Sequence, residues 1–192
     1  MNDPLDIQRS DVVLIVDDVP DNLSVLHDAL DESGYSVLVA LNGESALQRA
    51  VQAVPDVILL DAMMPGMDGY DVLRVLKENV ATRDIPVIFV TAMGSGENEE
   101  LGLSLGAVDY ITKPVKPAVV LARVRAHIEL AQARTRLRAE NLQLEAVIAQ
   151  RMRELHVIQD ATIRALASLA EARDPETGEH ILRTQAYVEI LA

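Results

Sequence analysis

A length of 192 residues is enough for one well-buried domain and a smaller second part, and a composition 49% hydrophobic but only 3% aromatic builds that core from Val, Leu, Ile, Ala and Met. With no cysteine, the chain excludes a disulfide framework and thiol chemistry, and no apolar run approaches the length that crosses a bilayer. The net charge of −13 is reached within residues 1–117, where 20 acidic side chains face 7 basic ones, a balance that repels nucleic acid.

The opening MNDPLDIQRSD has no basic-then-apolar targeting pattern, so a soluble, cytoplasmic protein is expected, with neither membrane nor nucleic acid as partner. Three short runs follow, VVLIVD (12–17), DVILLD (56–61) and PVIFVTA (86–92), each continuously apolar and rich in Val and Ile. Such runs suit strands buried on both faces, as in a parallel sheet covered by helices. Two weaker runs, SVLVA (36–40) and AVDYIT (107–112), bring the set to five. Amphipathic stretches lie between them at 21–33, 43–53, 69–79 and 97–105. Local punctuation agrees: Gly34 is expected to cap the end of the first helix, Asn42 and Asp68 to cap the starts of the second and third, and Pro117 to open the last. Strict alternation of strand and helix predicts a doubly wound α/β fold, without specifying a strand order.

Residues 118–172 contain neither Pro nor Gly, which predicts one long helix or two nearly continuous ones. Apolar residues recur there at steps of three and four: Leu130, Leu137, Leu144, Ile148, Leu155, Ile158 and Leu169. Arg134, Asn141, Arg151 and Thr162 interrupt the same seam, an imperfect heptad suited to a modest parallel homodimer; the alternative is a helix packed on its own domain. Its Arg residues interleave with Glu at helical spacing, as on a solvated face rather than a DNA-reading one. Pro175 ends the helix, and the amphipathic GEHILRTQAYVEILA that follows runs to Ala192 without a cap, as though cut within a domain.

In a doubly wound sheet, functional groups gather at the carboxyl ends of the strands. The strong runs end there on Asp17 and Asp18, on Asp61 and on Thr91, and the fifth is followed by Lys113. Two like charges about 4 Å apart repel by roughly 4 kcal/mol at an effective dielectric near 20, so three carboxylates need a proton or a cation among them. An all-oxygen donor set selects a hard cation, and a small site that keeps waters selects Mg²⁺. Beside that ion, Lys113 and the Thr91 hydroxyl form a socket for a phosphoryl group, with the already ionised Asp61 as attacking oxygen.

Together LIVDD, VILLDAMMPGMDG, IFVTA and GAVDYITKP resemble the response-regulator receiver family over about residues 10–130. The resemblance implies a five-stranded sheet in the order 2-1-3-4-5 and a sensor histidine kinase as phosphoryl donor. It implies that Asp61 is the phosphoacceptor, that Asp18, Asp17 (mainly through water) and the Met63 carbonyl hold Mg²⁺, and that Thr91 and Lys113 contact the phosphoryl oxygens. Tyr110 is then the aromatic that swings inward when Thr91 is recruited, and the Lys113–Pro114 bond is cis. The fourth and fifth helices form the face that switches or dimerises. Met63 and Met93, two residues beyond Asp61 and Thr91, are expected to shield the acyl phosphate from water.

Residues 131–172 read as a linker, and 173–192 resemble the opening of an HD-GYP domain, a family of metal-dependent cyclic di-GMP phosphodiesterases. Glu176 and His180, four apart, match positions that contribute to its di-iron or related centre. The His-Asp and Gly-Tyr-Pro motifs are absent, so this chain is not expected to hydrolyse cyclic di-GMP. His27, His127 and His156 have no companion ligand at metal spacing. The alternative function is a stand-alone adaptor or dimerisation module; a transcription factor is disfavoured because no helix-turn-helix or basic recognition helix is present.

Overall fold

The computed structural model describes residues 10–92 and 96–171. Strands and helices alternate: β1 Val12–Val16, α1 Pro20–Asp31, β2 Ser36–Ala40, α2 Gly43–Ala53, β3 Val57–Asp61, α3 Gly69–Glu78, β4 Val87–Ala92, α4 Gly96–Ser104, β5 Asp109–Lys113 and α5 Pro117–Glu171. All pairings are parallel and the order is β2-β1-β3-β4-β5. That order accounts for the uneven strength of the apolar runs. The central β1 and β3 are buried along nearly their whole length, whereas the edge strands β2 and β5 are mostly half-buried and carry polar residues.

Alternate strand residues feed two cores. One holds Leu14, Val16, Ile58, Leu60 and Phe89 against Ala46 and Ala50 of α2 and Val72, Leu73 and Leu76 of α3. The other holds Val13, Ile15, Leu59 and Val90 against Leu23, Leu26 and Leu30 of α1 and Val120, Val124 and Ile128 of α5. The four-residue spacing of that last trio puts all three on one helix face. The chain divides into two units between Thr135 and Arg136. α5 runs through that division as one 55-residue helix, the single-helix form of the sequence expectation.

Helix ends follow the sequence punctuation. The Asn42 side chain accepts from the Ser45 N–H at 2.9 Å, and Asp68 Oδ1 from the Asp71 N–H at 2.9 Å. α1 stops two residues earlier than its pattern, at Asp31. The Gly34 N–H (φ +89°) donates to the Asp31 carbonyl and the Tyr35 N–H to that of Leu30, which closes the helix. β5 starts two residues later than its apolar run and extends to Lys113. Gly106 (φ +99°) and Ala107 donate back to Leu103 and Gly102 of α4, so pairing with β4 begins only when the Val108 N–H reaches the Val87 carbonyl.

One residue sits in a backbone region that its side chain resists. Val54, the C-cap of α2, has φ 46° and ψ 67°, and a β-branched residue there costs about 1–2 kcal/mol. It is 47% exposed, so little burial offsets the strain. Val54→Gly is expected to raise stability by about 0.5–1 kcal/mol, the relieved strain less the extra chain entropy of glycine. Urea midpoints test this, and an unchanged or lower midpoint would remove the strain assignment.

Candidate functional site

In a parallel sheet every strand delivers its carboxyl end to the same edge. The register pairs Val16 with Leu60, which sets Asp17 level with Asp61, and pairs Thr91 with Thr112 and Ala92 with Lys113. Backbone pairing alone therefore brings Asp17, Asp61, Thr91 and Lys113 to one rim, with Asp18 a residue further on. Carboxylate oxygens of Asp17, Asp18 and Asp61 all lie within 4.8 Å of one another.

Asp17 is 2% exposed and Asp61 4%, so both charges are largely out of water and need partners. The Lys113 Nζ donates to Asp17 Oδ2 at 2.8 Å and to Asp61 Oδ2 at 2.7 Å, bridging the two carboxylates. Burial pulls the Lys113 ammonium down, but its hydrogen bonds to Asp17 and Asp61 and their charges outweigh that and hold its pKa above the ordinary value. Asp17 is fixed further by the Val19 N–H at 2.8 Å and by the Asn22 amide at 3.1 and 3.0 Å to its two oxygens. Asp61 Oδ1 accepts the Met63 N–H at 3.2 Å. Asp18 makes no side-chain hydrogen bond among the described residues and keeps its lone pairs for another ligand.

One ammonium among three carboxylates leaves two negative charges uncompensated. The donors are all oxygen, with no Cys or His among them, and Asp18 is uncommitted. This set fits a hard divalent cation held by Asp17, Asp18 and Asp61. The backbone below the acceptor is equally constrained. A Cβ on Gly69 would lie 2.2 Å from the Asp61 carbonyl oxygen, and the Gly69 N–H donates to the Ala62 carbonyl at 3.0 Å. Only glycine lets the first turn of α3 press on the chain that carries Asp61. The Lys113–Pro114 peptide is cis, as the resemblance implies.

Thr91, on β4, and Tyr110, on β5, line one small cavity of about 10 Å³, walled by the Tyr70–Phe89 ring pair (centroids 4.9 Å apart) and by Leu103 of α4. Tyr110 is half-buried against the core. The Met63 side chain is 69% exposed, open to solvent at the rim. Met93, Glu176 and His180 lie outside the described residues.

Two features escaped the sequence reading. Asn22 is legible only as a polar residue in the first turn of a helix that starts just after Asp17. The other is a network on Asp109, at the start of β5, which accepts from the Tyr110 N–H at 2.8 Å, from Arg123 Nη1 and from His127 Nε2 at 3.1 Å. It ties the strand carrying Tyr110 to α5, and His127, bland in the sequence, is one of its donors.

Burial would raise the Asp109 pKa, but the Arg123, Tyr110 and His127 hydrogen bonds and the Arg123 charge together depress it. A depressed carboxyl contributes stability that is present above its unfolded value of about 3.9 and is lost as pH falls through the folded one. Asp109→Asn is therefore expected to be less stable than the parent near neutrality, with the difference shrinking below about pH 4. Urea unfolding from pH 7 to pH 3 measures this, and a constant difference would overturn it.

The family model of the response regulator receiver domain matches residues 13–125. The chain is 46% identical over 180 residues to a "probable cyclic di-GMP phosphodiesterase" of Vibrio cholerae serotype O1, an alignment covering 94% of this chain and 41% of that protein. It is 44% identical over 114 residues to the response regulator PleD of Caulobacter vibrioides, 59% of this chain and 25% of that one. The chain thus spans well under half the length of these relatives. Among solved structures, the signal receiver domain of a signal transduction histidine kinase from Syntrophus aciditrophicus superposes with TM-score 0.58 at 36% identity, over 62% of this chain and 91% of that domain. A receiver domain protein from Methanospirillum hungatei gives TM-score 0.62 at 27% identity, over 65% and 98%.

Proposed function

The chain belongs to the response regulator receiver domain family, and on that premise we propose that it is a two-component response regulator in which Asp61 accepts a phosphoryl group from the phosphohistidine of a sensor kinase. A carboxylate oxygen of Asp61 attacks phosphorus, the P–N bond of the donor breaks, and the departing imidazole takes up a proton. No general base is required, because the Asp61 carboxyl is the nucleophile in its ionised form. Lys113, 2.7 Å from Asp61 Oδ2, is close enough to follow the negative charge onto the phosphoryl oxygens. Thr91 donates its hydroxyl to one of them, and Tyr110 fills the space that Thr91 vacates. Asp18, Asp17, Asp61 and the Met63 carbonyl would hold a Mg²⁺, which when bound would supply charge neutralisation for the transfer. The observation that carries this reading is the Lys113 ammonium spanning two buried carboxylates with a third, uncommitted one alongside.

Residues 10–130 form the receiver and 131–172 a helical linker that pairs two copies; 173–192 begin an HD-GYP output domain. The likeness to the Vibrio cholerae relative supports this output. Glu176 and His180 belong in this reading to the metal centre of a longer protein that hydrolyses cyclic di-GMP. Seven heptad positions, from Leu130 to Leu169, expose 47–69% of their surface, which supports the pairing role.

Incubation with acetyl phosphate and Mg²⁺ should add one phosphoryl group to the parent, detected by intact mass, and none to Asp61→Ala; Asp18→Asn should slow the addition by tenfold or more, about 1.4 kcal/mol on the barrier. Equal labelling of parent and Asp61→Ala would sink the assignment. For the linker, Leu144→Glu with Ile148→Glu should halve the mass seen by light scattering, because two charges would enter an apolar seam. A variant with the parent's mass would end the pairing role.

A further inference from the structure

From residue 136 to 171, α5 carries five Arg and five Asp or Glu, so this stretch is neutral in a chain of net charge −13. Two copies brought together along it meet no net repulsion from that segment. Leu137, Leu144, Ile148, Leu155, Ile158 and Leu169 are 58–69% exposed, and Val147, Met152 and Leu166 are 48–55% exposed. At roughly 100 Å² for each, the six that fall on a and d positions offer about 600 Å², most of the about 800 Å² per partner of a standard interface. A second copy of the same helix is the occupant that this neutral, heptad-spaced surface fits.

The seam it offers is not single. Taking Asn141 as a heptad a position, the following a positions are Ile148, Leu155, Thr162 and Leu169. Between them lie two sets of companions. Position d supplies Leu144, Arg151, Ile158 and Ala165; position e, one residue further, supplies Glu145, Met152, Gln159 and Leu166. The d seam gains Ile158 but draws in Arg151, whose guanidinium is bound to Glu154 Oε2 at 2.8 Å on its own helix. The e seam gains Met152 and Leu166 but draws in the Gln159 amide. From Ile148 onward each set has one polar member whose desolvation opposes closure, so composition there is close to balance, while Leu144 against Glu145 favours the d seam ahead of it. At 100° per residue, the midlines of the two seams differ by about 50° around the helix.

We propose that α5 pairs in parallel with a second copy through either of two seams that share Ile148, Leu155, Thr162 and Leu169, and that occupancy of Asp61 sets which seam is closed. The inference rests on the phosphoacceptor and pairing reading above and adds to it the regulation. The signal leaving the receiver is a rotation of each helix by about 50°, not assembly or disassembly of the dimer. Exchanging Ile158 for Gln159 at the seam requires no residue to leave the helix and leaves the shared a positions in contact throughout.

The absence of cysteine makes the test clean, since single-Cys variants of the whole chain cross-link without background. Oxidation is followed with and without beryllium fluoride and Mg²⁺. Ile148→Cys and Leu155→Cys should form disulfide dimers in both conditions. The yields of Ile158→Cys and Gln159→Cys should move in opposite directions, their ratio changing several-fold on adding beryllium fluoride. Arg151→Leu, which removes the charge opposing the d seam, should keep Ile158→Cys dominant in both conditions. No cross-link at Ile148 or Leu155 would overturn the pairing itself. Cross-links at those positions with an unchanged Ile158 to Gln159 ratio would leave the dimer standing and overturn the two-seam proposal. A ratio that still responds in Asp61→Ala would instead overturn the role of Asp61.

Discussion

The arrangement at the strand ends depends on one ammonium group. Three carboxylates within 4.8 Å are mutually destabilising, and the sheet brings them together regardless, because parallel pairing aligns the ends of β1 and β3. Lys113 makes that convergence tolerable by bonding to both of the buried members. It can do so because β5 runs on to Lys113, opposite Ala92, instead of ending where its apolar run ends. The parallel pairing of β4 with β5, carried one residue beyond the apolar run, is thus what couples the backbone to the electrostatics of the site.

The fold was legible because its signals are redundant. Continuous Val and Ile runs, caps at Asn42 and Asp68, the turn at Gly34 and the Pro and Gly-free stretch after Pro117 all point the same way, and each is a short-range property of the chain. The strand order came from family likeness, since periodicity carries no information about which strands are neighbours. Within the site, the residue types at the strand ends were readable, yet their bonding was not. That Lys113 holds Asp17 as well as Asp61 depends on a side chain 96 positions away in sequence. Asn22 and the Asp109–Arg123–His127 network are likewise products of packing between elements, and no local pattern announces them. Glu176 and His180 rest on likeness alone.

α5 follows two packing rules along its length. Up to Thr135 it buries Val120, Val124 and Ile128 in the core of the first unit, and Asp109 binds Arg123 and His127 on it. From Arg136 onward the apolar residues on its seven-residue repeat, such as Leu144, Ile148, Leu155 and Ile158, stand exposed. A four-residue buried spacing followed by a heptad is what a helix needs if its first part is anchored on a globular domain and its second part pairs with another helix. The net charge changes with it, from strongly acidic to neutral. Charge that keeps two receiver units apart therefore does not extend into the segment offered for pairing.

Energy scale decides which elements such a site can move. A phosphoryl group on Asp61 replaces a carboxylate of charge −1 by an acyl phosphate, a net gain of about one negative charge at most, and the new charge-assisted hydrogen bonds it can form are worth about 1.5–3 kcal/mol each. Carrying a two-state element from 1:99 to 99:1 takes about 5.5 kcal/mol, so only elements already close to balance can respond. The central strands are not candidates, since displacing side chains such as Ile58 or Leu59, each 0% exposed, costs several kcal/mol apiece. α4 is different. Gly102 lies against the Phe89 ring, while Leu101 and Leu103 stay 46% and 48% exposed, so the described side chains of α4 have little buried area to lose. In the pairing proposed above, α5 meets the same condition by another route: the two seams share every a position from Ile148 onward, and from there each carries one polar group. Weak anchorage at α4 and near-degeneracy along α5 are the two places where a perturbation of a few kcal/mol at Asp61 is large enough to matter.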